Sequence, residues 1–205
     1  LNVQTALQRL FGLFAQFLDY PQSSLSEGLR ECQALLSAQN PASGELFGEF
    51  FRFADKMPLG RLQEVYTHTF DLDAAYHPYI GYHLFGESYK RSAFLVGLKE
   101  RYRESAFTPP ENQLPDHLPA ALRFLAACGD ENTSGELIQE ALLPALAKML
   151  KREGEKAGEF DEQGEAPGSG SREERQVPPY VKLLEALRLV LQRQHSIEKA
   201  VMSHV

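Results

Sequence analysis

A three-four spacing of apolar residues recurs along most of this chain, and it leaves little room for any architecture other than packed helices. Val3, Leu7, Leu10, Phe11, Phe14, Phe17 and Leu18 form one stripe, the pattern of a helix with one face turned to a core. Tyr20-Pro21 ends it, because the residue before proline is pushed out of the helical region. The spacing predicts a second helix capped by Ser23 or Ser24 and carrying Leu25, Leu29, Cys32, Leu35 and Leu36. A third is expected from Ser43 with an aromatic face of Leu46, Phe47, Phe50, Phe51 and Phe53. Pro58 suits the first turn of a fourth, with Leu62, Val65, Tyr66 and Phe70.

Helical spacing then lapses. Residues 71–86 hold one proline, two glycines, three tyrosines and two histidines, with apolar residues off the helical period. It resumes from Glu87 to about Ser105, and again from about Pro115, with Leu118, Leu122, Leu125 and Ala126 facing inward. Asp116 would then sit early in a helix, where a carboxylate complements the positive end of the dipole. A seventh helix is expected after Thr133-Ser134, with a kink or short break at Pro144. The last starts at Pro178-Pro179 with Tyr180, Leu183, Leu184, Leu187, Val190 and Leu191. No strand-like alternation and no internal repeat stands out. The expected fold is all-α: a single-domain bundle of seven to eight helices, with a body over 1–151 and a C-terminal helix over 178–205 that docks on it. Between them, 152–177 is rich in Gly, Glu, Ser and Gln and nearly free of large apolar residues, as expected of a mobile linker.

Composition narrows the function classes. The 205 residues carry a formal charge of -7, which argues against nucleic-acid phosphates and permits a basic peptide partner. Cys32 and Cys128 are far apart and lack the paired spacing of a zinc site or a disulfide scaffold. Gln4, Gln8, Arg9 and Gln16 interrupt the N-terminal stretch, so it does not read as a secretory signal. No apolar run approaches a membrane span, and the cytoplasm is the expected compartment.

Two readings compete for the chemistry. His68, Asp71, Asp73, His77, His83, Asp116 and His117 are the groups a metal-dependent hydrolase would draw on. Helical neighbours point about 100° apart, however, so Asp116 and His117 would not both face one site. No nucleophile elbow, phosphate loop or His-Glu-x-x-His motif is present. The other reading rests on the run from Tyr76 to Glu87, which gathers Tyr76, His77, Tyr79, Tyr82 and Phe85. Tyrosines on an irregular segment suit either peptide recognition or sealing of the core. Asp71, Asp73, Glu87 and Asp116 could add charge complementary to a basic peptide.

The segments Tyr66 to Asp71, Gly86-Glu87-Ser88 with Arg91, and Leu114-Pro115-Asp116-His117-Leu118-Pro119 resemble the NarJ (nitrate reductase delta-subunit) branch of the TorD/DmsD/NarJ chaperone superfamily. Pro179 to Leu187 is similar to that family's closing helix. The pattern runs from about residue 5 to 191, and its specific motifs occupy Tyr66 to Ala126. The resemblance implies a cytoplasmic chaperone, not an enzyme. Its partner would be the catalytic subunit of a molybdenum-cofactor (bis-MGD) oxidoreductase, bound through an N-terminal or twin-arginine peptide until cofactor insertion, assembly and export are timed. It implies no tightly held cofactor or metal of its own. Carried onto this chain, it assigns peptide binding to Tyr76, His77, Tyr79, Tyr82, Glu87, Lys90, Arg91, Asp116 and His117. The aromatics would pack on an amphipathic peptide, and Asp116 and Glu87 would pair with its Arg or Lys groups. His117 and Arg91 could instead brace the loop. A stable helical adaptor subunit is a further alternative. Where many relatives carry Leu-x-Leu-Phe-Glu-His, this chain has Tyr82-His83-Leu84-Phe85-Gly86 after Pro78-Tyr79-Ile80-Gly81. That version is similar to chaperones for nitrate, selenate, chlorate or hydrocarbon-oxidising enzymes. Client identity and oligomeric state stay open.

Overall fold

The computed structural model describes residues 3–23, 25–111, 113–155 and 178–202. Among these the chain is helical without a named strand: α1 (Val3–Phe17), α2 (Ser26–Gln39), α3 (Pro41–Ala54), α4 (Leu59–Phe70), α5 (Ile80–Phe85), α6 (Tyr89–Glu104), α7 (Leu118–Ala127), α8 (Glu131–Leu137), α9 (Leu143–Glu155) and α10 (Pro179–Met202). A 3-10 turn at Ala74–Tyr76 precedes α5, and a π-helical turn at Ile138–Leu142 joins α8 to α9. The all-α expectation holds. The linker expected over 152–177 falls, from residue 156 onward, outside the described residues.

The sequence periods locate the helices, and tertiary contacts move their ends. Ser23 does not cap α2, whose N-cap is Leu25 with no side-chain hydrogen bond; Ser24 lies outside the described residues. α3 starts two residues before Ser43, at Pro41, because Asn40 is the cap and accepts from the Ser43 amide. Ser43 itself is buried and donates its hydroxyl to the Ala186 carbonyl in α10 at 2.9 Å. Pro58 is the N-cap of α4 rather than a first-turn residue. Between α4 and α6 the segment expected to be irregular forms the short helix α5. Gly86, at φ 63°, ends α5 in the left-handed region that glycine tolerates best, so α6 begins at Tyr89 instead of Glu87. Asp130 caps α8 through the amides of Asn132 and Thr133, which starts that helix ahead of Thr133-Ser134. Pro144 lacks the N–H that would reach the Glu140 carbonyl in α-helical register. The preceding turn widens to π register, with the Leu143 N–H on the Ile138 carbonyl. The break expected at the proline thus takes the form of a π turn.

α10 lies against α3 and α9, α1 against α7, and α2 against α3. At the centre, Tyr180 of α10 packs on Phe50 (5.1 Å between ring centroids), Phe70 (5.1 Å) and Tyr66 (5.7 Å). Phe47 meets Phe14 at 6.1 Å and Phe17 at 5.7 Å. These offset and edge contacts suit aromatic quadrupoles. They join α1, α3, α4 and α10 in one core, so the last helix packs on residues more than a hundred positions earlier. Asn40 and Ser43 fix its register by donating to the carbonyls of Leu189 and Ala186.

The Tyr180 hydroxyl is fully buried and has no hydrogen-bond partner among the described residues. Leaving such a group unpaired costs about 1–3 kcal/mol. Tyr180→Phe keeps the ring and removes the orphan oxygen, so urea unfolding should show the variant more stable by about 1 kcal/mol. A loss of that size would mean that the hydroxyl has a partner.

Candidate functional site

The site is built where the loop after α4 crosses the loop before α7. Pro78 and Pro115 keep these segments out of helix, and they pair as an isolated antiparallel bridge between Tyr79 and His117. The Ile80 N–H donates to the Asp116 carbonyl, and the Leu118 N–H to the Pro78 carbonyl, both at 2.8 Å. The Tyr102 hydroxyl holds the second segment from α6 by donating to the Pro115 carbonyl at 2.9 Å.

Asp116 precedes α7 rather than lying in it, and is fully buried. Its Oδ2 accepts from the Gly81 N–H and from Arg91 Nε, each at 3.2 Å. Tyr79, the N-cap of α5, makes no side-chain cap bond; a carboxylate from elsewhere in the chain therefore satisfies a first-turn amide of that helix. Gly81 makes the approach possible. A Cβ there would lie 2.9 Å from Asp116 Oδ2, 3.0 Å from the Phe94 ring and 3.1 Å from Arg91 Cγ. Burial pushes the Asp116 carboxyl up, and the charge and hydrogen bond of Arg91 oppose it without cancelling it.

Arg91 also stands over the Tyr79 ring at 5.6 Å, within cation–π range. The His117 ring also neighbours Tyr79, 5.4 Å between centroids. Burial pushes His117 down to about 4, with Asp19 and Asp71 pulling it up and Arg123 pushing it down. Asp19 pairs with Arg123 at 2.5 Å. Its own burial raises its carboxyl, but the Arg123 hydrogen bond and charge outweigh that and hold it below the usual range.

The nine sequence-predicted residues separate into an inner frame and an outer rim. Arg91, Asp116, His117 and Tyr79 form one contiguous cluster. Tyr76 is buried in the core. His77 and His83 act as fasteners: a ring nitrogen of each lies on a backbone carbonyl, Phe70 at 2.9 Å and His77 at 2.7 Å respectively. The Tyr82 ring sits 5.4 Å from both histidine rings. Glu87 and Lys90 are exposed on the turn into α6. The expected pairing of Asp116 with a peptide cation meets a physical obstacle, because this carboxylate is sealed from solvent and already engaged by Arg91. The hydrolase ligand set does not assemble either. Among the described residues no three His, Cys, Asp or Glu side chains group as a metal site requires.

Several contributors escaped the sequence reading. Gly81 and Tyr102 place the carboxylate. Lys148 of α9 donates to the Leu84 carbonyl at 3.1 Å and helps line an open cleft of about 740 Å3 with Tyr82, His83, Glu87 and Lys151. Tyr89, 87% exposed, extends the aromatic rim. Tyr89 lies beside the motif turn and could have been noticed; the others carry no local signal.

The family model described as nitrate reductase delta subunit matches residues 22–156, a stretch that contains the whole frame. The chain belongs to the nitrate reductase delta subunit family. It is 30% identical over 149 residues to the probable nitrate reductase molybdenum cofactor assembly chaperone NarJ of Bacillus subtilis, covering 72% of this chain and 80% of that one. It is 28% identical over 154 residues to the nitrate reductase molybdenum cofactor assembly chaperone NarJ of Escherichia coli K12, covering 73% of this chain and 65% of that one. No helix among the described residues is long and apolar enough to cross a membrane. Asp71, which ends the Tyr66 to Asp71 motif, acts electrostatically on His117 of the Leu114 to Pro119 motif. Arg91, whose backbone N–H donates to the Ser88 carbonyl at 2.9 Å, reaches from the Gly86-Glu87-Ser88 turn to Asp116.

Two measurements test the frame. Gly81→Ala drives a methyl group into Asp116, Phe94 and Arg91, and should lower unfolding stability by about 1–3 kcal/mol; a neutral result would show that the cradle yields freely. His117 gives a pH signature. Between its ordinary 6.5 and its folded value of about 4, the unfolded chain takes up a proton that the folded chain refuses. Its contribution to stability is therefore lost as pH falls through that window and levels off below it. The raised Asp116 carboxyl acts in the opposite sense just above its own ordinary value. His117→Gln should flatten the decline between pH 6.5 and 4 by up to about 3 kcal/mol, read from urea midpoints. An unchanged slope would place the charged ring in the folded state.

Proposed function

We propose that this protein is a system-specific assembly chaperone that binds the N-terminal region of a molybdoenzyme catalytic subunit and holds it while cofactor insertion and assembly proceed. The observation that carries this reading is the family match over 22–156, with relatives that are themselves named as nitrate reductase molybdenum cofactor assembly chaperones. The site's chemistry agrees. Asp116 is tied through Oδ2 to Arg91 and to the Gly81 amide, and the His117 ring lies against Tyr79, an arrangement that suits a recognition frame.

On this reading Asp116, Arg91 and His117 are positioning residues. They hold the segment from Tyr79 to Glu87 so that Tyr79, Tyr82 and Tyr89 offer large, stiff, amphipathic surface to an incoming peptide. Glu87, exposed on the rim, is the carboxylate available to a peptide arginine, including one of a twin-arginine pair, through a charge-assisted hydrogen bond. Tyr76 contributes through the core.

Tagged full-length protein recovered from its host under molybdoenzyme-inducing conditions should bring down a cofactor-free catalytic subunit, identified by mass spectrometry. Calorimetry with that subunit's N-terminal peptide should then show binding that Tyr82→Ala and Tyr89→Ala each weaken by about tenfold or more. Tyr89→Ala should leave the melting temperature unchanged, because its ring lies in solvent. Recovery of a finished, cofactor-loaded enzyme at fixed ratio would instead mark the chain as a resident subunit.

A further inference from the structure

Helix α6 is the least covered of the long helices. Of its sixteen residues only Leu98 and Tyr102 are buried, and Val96 is 57% exposed. Its flank towards α5, α8 and the π turn borders a groove of about 280 Å3 with an apolar floor that includes Leu84, Phe94, Leu98, Leu137 and Ala141. Phe85 forms a wall, 5.5 Å from Phe94 between centroids. Gly97 also lines the groove, and a Cβ placed on it would meet no atom within 4 Å. The fold therefore has no steric need for glycine there, although glycine weakens a helix interior relative to alanine. A backbone left bare at that point suits close approach by something else.

The groove runs into a second cleft of about 430 Å3, the two sharing Arg101 and Glu136. The second cleft has Glu104, Asp130 and Glu136 in its wall and Arg101 as its lining cation, with the Asp130 carboxylate engaged in capping α8. That cation is already paired, Nη2 to Glu136 Oε2 at 3.1 Å. Glu140 adds an exposed carboxylate on the groove side. An apolar slot with the Glu140 carboxylate at its edge is complementary to a chain segment with a large apolar side chain followed by Lys or Arg.

We propose that the α6–α8 cleft is a second docking seat for the client, taking a short apolar-then-basic segment with its apolar side chain over Gly97 and its cation against Glu140, beside the Arg101–Glu136 pair. The proposal rests on the chaperone reading and adds a seat beside the Tyr82 cleft, the two sharing Leu84.

The test uses fluorescein-labelled synthetic peptides tiling the catalytic subunit of the source organism's nitrate reductase, titrated into the full-length chain by anisotropy. Three variants are compared with the parent: Gly97→Leu, which fills the groove; Glu140→Lys, which reverses its rim; and Tyr82→Ala, at a residue that lines the neighbouring cleft and not the groove. At least one apolar-basic peptide should bind the parent, lose about tenfold or more in affinity with Gly97→Leu and Glu140→Lys, and ignore Tyr82→Ala. Exchanging that peptide's basic residue for Glu should restore binding to Glu140→Lys. Gly97→Leu should melt no lower than the parent, so its loss of binding cannot be a loss of fold. If peptides bind but every one responds to Tyr82→Ala and none to the cleft variants, the second seat is overturned and the chaperone reading stands. If no peptide binds any form, both fall. Concentration-dependent dimers that Glu140→Lys abolishes would assign the cleft to a second copy of the chain and overturn the proposal.

Discussion

Asp116 has no contact with solvent, and a carboxylate in that position is tolerable only with partners, because stripping its water costs several kcal/mol. Arg91 and the Gly81 amide are those partners, and much of the functional face follows from satisfying them. Arg91 must lean inward from α6, which carries it across the Tyr79 ring. Gly81 must stand at the start of α5, which sets the direction of that helix and the outward placement of Tyr82 and Phe85. The neighbouring bridge between Tyr79 and His117 lays the two loops side by side. A charge pair that a sequence reader would assign to ligand binding thus acts one layer further in, holding the segment that carries Tyr79 and Tyr82.

The same division of labour appears in the bundle. Tyr180 brings α10 onto the aromatic core of α3 and α4, and the donors Asn40 and Ser43 set its register. Apolar contact supplies most of the favourable free energy, and the polar pairs choose among the ways of making it. α6 stands apart, fixed at one end by Leu98 and Tyr102 and at the other by Arg91. Its remaining surface is open on the side where α8 and the π turn face it. Local cover of this kind separates a helix that serves only the core from one with surface left for a partner.

Helix positions were legible in the sequence because a three-four apolar spacing is a local property, set by backbone geometry and read from neighbours a few residues apart. The family was legible too, since the motif segments around Tyr66, Gly86 and Leu114 carry the resemblance and the family match spans them. Helix starts were read less well where the cap was decided from outside or by a competing residue. Ser43 bonds to α10 instead of capping α3. Asp116 caps α5 rather than beginning α7. Asp130 took the role expected near Thr133-Ser134.

What the sequence determined by itself was the all-helical class and the interruption of helical spacing after Phe70. What only the tertiary structure decided was which of the candidate site residues face inward. Burial depends on segments distant along the chain meeting in space, and Asp116 becomes a frame residue only because Gly81, thirty-five positions earlier, has no side chain to keep it away. The same holds for the cleft beside α6. Gly97, Glu136 and Glu140 have no shared pattern along the chain, and they become a surface only when the fold brings α6 alongside α8.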